Sequence, residues 1–199
     1  GGALSPVVSA SQAIAEFDSI DLDVKIAKTL PEVRGDPRIL QEAMSNLMDN
    51  ALKYSQVRER DEGRARVLLK VSKLAKSRLP KSAEAGVVIT VEDDGPGVDE
   101  EELPELCVRG FRGRASLESG TPGSGLGLHI VDELVSVMGG RLSFERAKDY
   151  GGLRVRMTLL RPIQAGAGGD AAAAGPAGGG KAVAKSKARG TKGKPKTKA

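Results

Sequence analysis

Asn46-Leu47-Met48-Asp49-Asn50-Ala51-Leu52-Lys53-Tyr54 is the stretch on which the reading of this chain turns. Ten residues upstream of it stands Gly35-Asp36-Pro37, a strong helix start. Asp36 suits the cap that accepts free backbone N–H groups, and Pro37 suits the first helical position, where its missing N–H costs nothing. The predicted helix therefore runs from Pro37 to about Tyr54. At about 100° per residue, Leu40, Ala43, Met44, Leu47 and Ala51 share one face, and Glu42, Asn46, Asn50 and Lys53 share the opposite one. Asn is a poor helix former, yet it occurs here twice, one turn apart. Amide oxygens are hard ligands suited to Mg²⁺, which takes few protein groups besides phosphates. A lysine beside them supplies a point charge for phosphate. A plain solvated helix face accounts for the same residues equally well.

Two further stretches lie downstream. Val91-Glu92-Asp93-Asp94-Gly95-Pro96-Gly97 carries a carboxylate at the end of a β-rich run, and then a sharp turn. Such a carboxylate can accept a hydrogen bond from an exocyclic amino group, and Gly95 and Gly97 let backbone approach a flat ring closely. An acidic β-turn is the alternative. Gly120-Thr121-Pro122-Gly123-Ser124-Gly125-Leu126-Gly127-Leu128 crowds glycines at the entrance to an amphipathic helix. Free N–H groups and the positive end of the helix dipole make such a place an anion site. It lacks the Gly-Lys-Ser/Thr of a Walker loop and the βαβ context of a dinucleotide fingerprint. A flexible linker is the alternative there.

The rest of the chain supplies a frame for these three. Pro6–Phe17 reads as a short helix. Asp21–Leu30 alternates, with Leu22, Val24 and Ile26 on one side, as a half-buried strand does. Val67–Leu74 and Val87–Glu92 read as an antiparallel pair separated by a long polar connection containing Pro80, taken as a surface insertion. Residues 94–124 show little periodicity; a loop that long in a compact domain is functional or mobile. A helix from Leu126 to Met138 ends at Gly139-Gly140. Arg141–Arg146 and Leu153–Leu160 are strands around a Gly151-Gly152 turn. The expected fold class is α+β: a two-layer sandwich with helices on one side of a mostly antiparallel mixed sheet.

Composition bounds the function. Hydrophobic residues make up 39% of the 199, there is no Trp, and Tyr and Phe total five, so the core is aliphatic. One cysteine, Cys107, excludes an internal disulfide framework and suits an intracellular protein. No run approaches the roughly 18 apolar residues of a membrane span. The start, Gly1-Gly2-Ala3-Leu4, reads as a cut edge with sequence missing upstream. The net charge of +5 is unevenly placed: residues 162–199 hold eight Lys/Arg and one Asp, leaving 23 basic against 25 acidic residues in 1–161. The folded part thus gives no electrostatic reason for nucleic-acid binding. The Ala/Gly/Lys-rich stretch 162–199 cannot bury enough apolar surface to order itself and is read as a disordered tail; it has no aromatics for selective base stacking. Residues 1–161 are the domain.

In order and spacing the three stretches resemble the histidine-kinase branch of the ATP-binding superfamily that includes type II topoisomerases, the ninety-kilodalton heat-shock chaperones and mismatch-repair ATPases. Asn46–Tyr54 is similar to its asparagine box, Asp93–Gly97 to its first glycine box, and Gly123–Leu128 with Ile130-Val131 to its second. Arg109-Gly110-Phe111-Arg112-Gly113 stands where the family has a Phe-containing lid motif. The resemblance spans about residues 20–160. It implies the Bergerat-type ATP-binding fold, ATP and Mg²⁺ as cofactors, and a lid over 98–124. It implies that Asn50 holds Mg²⁺ with Asn46 nearby, that Lys53 contacts phosphate, and that Tyr54 packs near sugar or base. Asp93 would take the adenine amino group, with Gly95 and Gly97 lining the base. Gly123, Ser124, Gly125, Leu126, Gly127 and Leu128 would wrap the phosphates. Arg112, with Arg109 or Arg114, would neutralise the γ-phosphate as charge spreads. Asn46, Lys53 and Arg112 are then the catalytic set.

The family's phosphoacceptor histidine sits on an upstream dimeric hairpin. The only His here, His129, follows the glycine loop inside a helix, where a lining or packing role fits. The implied function is therefore the donor half of a protein-histidine kinase. Its partners would be a His-bearing dimerisation domain, upstream or in trans, and then a response-regulator receiver domain. An ATPase of the same superfamily needs a glutamate base one turn before the metal-binding Asn. Asn46 holds that place and cannot act as a base; Glu42 lies one turn further. A nucleotide-binding regulatory module without catalysis is the other alternative. A cytoplasmic location is expected, with an organellar one, such as a plastid, left open by the unusual tail.

Overall fold

The computed structural model describes residues 2–58 and 63–163. The basic stretch assigned above to a disordered tail lies outside them beyond Ile163. In chain order the elements are α1 (Ser5–Phe17), β1 (Ile20–Ile26), α2 (Pro37–Ser55), β2 (Ala65–Lys73), β3 (Ala83–Asp93), α3 (Arg114–Glu118), α4 (Gly127–Val137), β4 (Arg141–Arg146) and β5 (Leu153–Pro162). Five strands form one sheet in the order β1-β2-β3-β5-β4. β1 runs parallel to β2; every other pairing is antiparallel. Helices α1, α2 and α4 cover one face, giving the two-layer α+β sandwich that the alternation predicts.

Alternation explains why only one face is covered. Val67, Leu69 and Val71 of β2, Val87, Ile89 and Val91 of β3, and Val155, Met157 and Leu159 of β5 point the same way into the core. They meet Ala43, Met44, Leu47, Met48, Ala51 and Leu52 of α2 and Val131 and Val135 of α4. Met44, Met48 and Met157 are fully buried; unbranched and flexible, they fill the gaps that a core almost without aromatics leaves. Asp36 caps α2 as read, its carboxylate accepting from Arg38 N at 2.7 Å. The end of α4 is closed by Gly139 N to Ser136 O and Gly140 N to Val135 O, each 2.9 Å.

Most boundaries fall within two residues of the sequence reading; three regions differ more. β1 ends at Ile26, because Ala27 N makes the last bond to β2, at Val71 O, and Leu30 turns in against the core instead. β3 begins at Ala83, because its first residues outrun β2 and pair with β5, Ala83 with Pro162 and Gly86 with Leu160. The long connection is thereby shortened to Leu74–Ser82. Within 94–124 the chain forms a helical turn at Leu103–Glu105 and the short helix α3. Among the described residues, no helix is long and apolar enough to cross a membrane.

Candidate functional site

A cavity of about 350 Å³ opens between α2, the end of β3, the start of α4 and the 94–124 segment. Helical spacing carries Asn46, Asn50, Lys53 and Tyr54 to its wall from one side, while β3 delivers Asp93 to its floor. Gly97, Arg112, Gly123, Ser124, Gly125, Leu126, Gly127 and Leu128 complete much of the rim. The structure thus brings together residues 46 to 128 that the sequence separates into three stretches. Two candidates stand elsewhere. Arg109 is exposed and does not line the cavity. Gly95 is buried behind Asp93, donating its N–H to Asp93 Oδ1 at 3.0 Å.

Asp93 is held by backbone alone. Its Oδ1 accepts from Gly95 N and from Leu153 N, at 3.0 and 3.3 Å, and Gly152 N donates to Asp93 O at 3.2 Å. Its Oδ2 takes no bond from the described residues and is the atom left for a ligand. Burial pushes the carboxyl up from 3.8 to about 7; the Gly95 and Leu153 N–H groups oppose this, and the charges of Asp94 and Glu92 add to it. Gly152 has no room for a side chain: a Cβ there would stand 2.1 Å from Asp93 Oδ1 and 2.4 Å from Asp93 O. Sequence reading treated Gly151-Gly152 as a turn only. Its contact with residue 93 exists because β3 and β5 pair, which no local signal announces.

The α2 face shows two amides in different states. Asn46 donates Nδ2 to Glu42 O at 3.0 Å, leaving its oxygen to the cavity. The Asn50 amide has no hydrogen-bond partner among the described residues and packs against Gly127, where a Cβ would stand 3.0 Å from Asn50 Nδ2. Lys53 Nζ lies 4.5 Å from the Tyr54 ring centroid and donates to Pro122 O at 3.1 Å. The Tyr54 hydroxyl meets Ser116 Oγ at 3.2 Å. Arg112 Nη2 reaches Ser116 O and Oγ and Thr121 O, so its guanidinium braces the lid from within. Gly110 N donates to Gly125 O at 3.1 Å, and Gly125, at φ 70°, sits so close that a Cβ would fall 2.6 Å from Gly110 C. Only glycine serves both demands.

Donor chemistry fits a magnesium nucleotide. Among the described residues no cluster of three or more His, Cys, Asp or Glu side chains exists to hold a metal. The unengaged Asn50 amide is the hard oxygen at hand, and Mg²⁺ shared with phosphates needs little more from protein. Glu42 is not part of the cavity wall. His129 Nδ1 lies 3.1 Å from Cys107 O, and the half-buried ring packs at the base of the lid. Burial and the charge of Asp132 push the Cys107 thiol up to about 11, far from reactive thiolate.

A helix face of amides and lysine, a backbone-held carboxyl on a sheet floor and a glycine loop opening a helix define a nucleotide-binding domain of the two-layer kind. Residues 35–163 match the family model of histidine kinase-, DNA gyrase B- and HSP90-like ATPases, and the chain belongs to that family. Over 162 residues it is 38% identical to the sensor histidine kinase Hik2 of Thermosynechococcus vestitus, covering 81% of this chain and 37% of that protein. To the histidine-protein kinase AfsQ2 of Streptomyces coelicolor it is 33% identical over 145 residues, 73% of this chain and 23% of the relative. Among solved structures, the mycobacterial sensor histidine kinase MprB superposes with a TM-score of 0.56 at 29% identity, over 80% of this chain and 96% of that one. The catalytic domain of the histidine kinase ThkA, at 16% identity, shares the fold with a TM-score of 0.62, over 80% and 92%. The domain is thus an ATP-binding domain of that family, and the relatives named here are histidine kinases. The chain spans about a third of the length of the Hik2 relatives it matches.

Proposed function

We propose that this chain binds Mg-ATP in the cavity between α2 and the lid and donates the γ-phosphoryl group to a histidine outside residues 1–199, in a dimerisation segment upstream or on a partner. A receiver domain would take the phosphoryl group next. The observation that carries the reading is the convergence of Asp93, Asn50 and the Gly123–Leu128 loop on one cavity. Asp93 Oδ2 accepts from the adenine amino group, and this sets base choice, since a buried acceptor without a donor is costly. Asn50 would hold the metal, which when bound would supply positive charge to offset that of the phosphates. Asn46 steadies that end of the site, and Lys53 exchanges the Pro122 carbonyl for phosphate. Arg112 neutralises the γ-phosphate only after leaving its brace on Ser116 and Thr121, so lid rearrangement accompanies loading.

Transfer is favoured over hydrolysis by a single placement. Asn46 occupies the wall one turn before Asn50, and among the described residues no carboxylate besides Asp93 lines the cavity; Asp93 is committed to the base. A water-activating group is therefore lacking at the phosphate end. An intracellular, cytoplasmic location accompanies this reading, with a plastid also compatible.

The test is to mix the purified chain, γ-labelled ATP and a dimeric His-bearing fragment from a related kinase. Acid-labile, alkali-stable label on the fragment is the expected result. Steady phosphate release by the chain alone, lost in Glu42→Gln and kept in Asn46→Ala, would move the reading to a hydrolase.

A further inference from the structure

The face of the sheet turned away from the helices carries side chains the nucleotide site does not use. Register arranges them in rows across four strands. Lys70 of β2 is level with Thr90 of β3, Arg156 of β5 and Ser143 of β4. The next row holds Ser72, Val88, Thr158 and Arg141. A groove of about 770 Å³ runs over them. Its floor strands contribute Val88, Thr90, Thr158 and Leu160, with Leu74 beside them; the charged residues of those strands, Glu92, Arg154 and Arg156, lie toward one end. Its two banks are cationic: Lys70, Lys73 and Arg78 on the β2 side, Arg141 on the β4 side.

Charge on this face is sorted along the strands. At one end Arg154 Nη2 donates to Glu92 Oε2 at 2.9 Å, and Glu145 takes Arg154 Nη1 at 2.9 Å and Arg156 at 2.6 Å. Those acids are spent there. Lys70, Lys73, Arg78 and Arg141 make no ion pair among the described residues. Residues 1–161 as a whole carry two more acids than bases, so this bare cationic groove is a local concentration rather than a general trend.

Its width selects an occupant. β2 and β4 are three strand spacings apart, about 14 Å. An α-helix with side chains is about 10–12 Å across. One helix fits between the banks, with an apolar strip on the floor and carboxylates on both flanks. We propose that the open face of the sheet docks one acidic amphipathic helix of a partner protein, seated on Val88 and Leu160 between Lys70 and Arg141. None of these residues lines the nucleotide cavity, so the inference stands apart from the function above. A nucleic acid would leave Val88, Leu160 and Leu74 unused and find no aromatic side chain among these groove residues on which to stack a base.

The test uses the full chain and four labelled probes in fluorescence anisotropy: a designed helical peptide with a Leu/Ala strip flanked by Glu, a scrambled peptide of the same composition, a short DNA duplex, and vesicles of phosphatidylserine and phosphatidylcholine. The amphipathic peptide should bind at least about tenfold more tightly than the scrambled one. Lys70→Glu with Arg141→Glu should weaken it by at least about tenfold, two ion pairs being lost and two repulsions introduced. Lys70→Ala with Arg141→Ala should give a smaller loss in the same direction. Lys185→Glu with Lys187→Glu, in the basic tail, should leave it unchanged, as should nucleotide loading. Equal binding of both peptides, no binding, dependence on the tail lysines, or a Lys70- and Arg141-dependent preference for DNA or vesicles would each overturn the proposal. Thermal melts of every variant show that it is folded.

Discussion

Replacing Asp93 with Asn separates what this residue costs the fold from what it does for the ligand. The Asp93 carboxyl rises from 3.8 to about 7 in the folded chain because it is buried. That difference corresponds to about 4 kcal/mol. The sign is the reverse of a salt-bridged carboxylate. Below about pH 4 both folded and unfolded chains hold the proton, and nothing is lost. Between about pH 4 and 7 the unfolded chain releases it while the folded one keeps it, so stability falls as pH rises. Above about pH 7 the whole cost of about 4 kcal/mol is present. Asn keeps an oxygen for Gly95 N and Leu153 N but does not titrate. Its stability relative to the native chain should therefore climb by about 4 kcal/mol from pH 4 to pH 8, or about 10 °C in Tm for a domain of this size. Any fixed offset from the new NH₂ group is the same at each pH, so the slope is the readout. Thermal melts of both proteins across that range measure it. Calorimetry at pH 8 should show the variant binding ATP at least about tenfold more weakly, having lost the charged acceptor. A stability difference that is flat with pH, or a variant that keeps native affinity, would refute the assignment of Asp93.

Other outcomes follow from particular contacts. For the native chain, ATP affinity should rise with pH up to about 7 and then level, as the acceptor ionises; titration calorimetry at several pH values reads this. Asn50→Ala should abolish the gain in affinity that Mg²⁺ brings over EDTA while leaving the EDTA value unchanged. Gly152→Ala places a Cβ where Asp93 Oδ1 stands, 2.1 Å away, and should cost ATP affinity more than about tenfold along with about 2 kcal/mol or more of stability. Arg154→Ala strands Glu92, whose side chain is 7% exposed, and should destabilise the domain by about 3–5 kcal/mol in denaturant melts; replacing both residues with apolar ones should recover much of that.

The parts legible in the sequence were those written locally. Asp36-Pro37 announces the start of α2 by chemistry that acts within one turn. The spacing of Asn46, Asn50 and Lys53 places them on one face of any helix, whatever that helix packs against. Glycines at 123, 125 and 127 mark a loop that something must approach closely. What stayed hidden depends on pairings far apart in the chain. Gly152 and Leu153 hold Asp93 only because β5 lies beside β3. Period-two patterns say which side of a strand is buried, not which strand is its neighbour, so the parallel β1–β2 pairing and the outrun of β3 onto β5 were not readable. Arg112 was assigned to phosphate by its place in a motif; the structure shows it braced on Ser116 and Thr121, a lid-internal arrangement with no sequence signature. Lys70 and Arg141 stand 71 positions apart in the chain, and they flank one groove only because four strands align.

The central claim is that one cavity serves base, metal and phosphate together. A crystal structure of the chain with Mg²⁺ and a non-hydrolysable ATP analogue tests this most directly. It should show the adenine amino group within hydrogen-bonding distance of Asp93 Oδ2, the metal on Asn50, and Lys53 turned from Pro122 to phosphate. An adenine ring bound away from Asp93, or a metal held without Asn50, would contradict it.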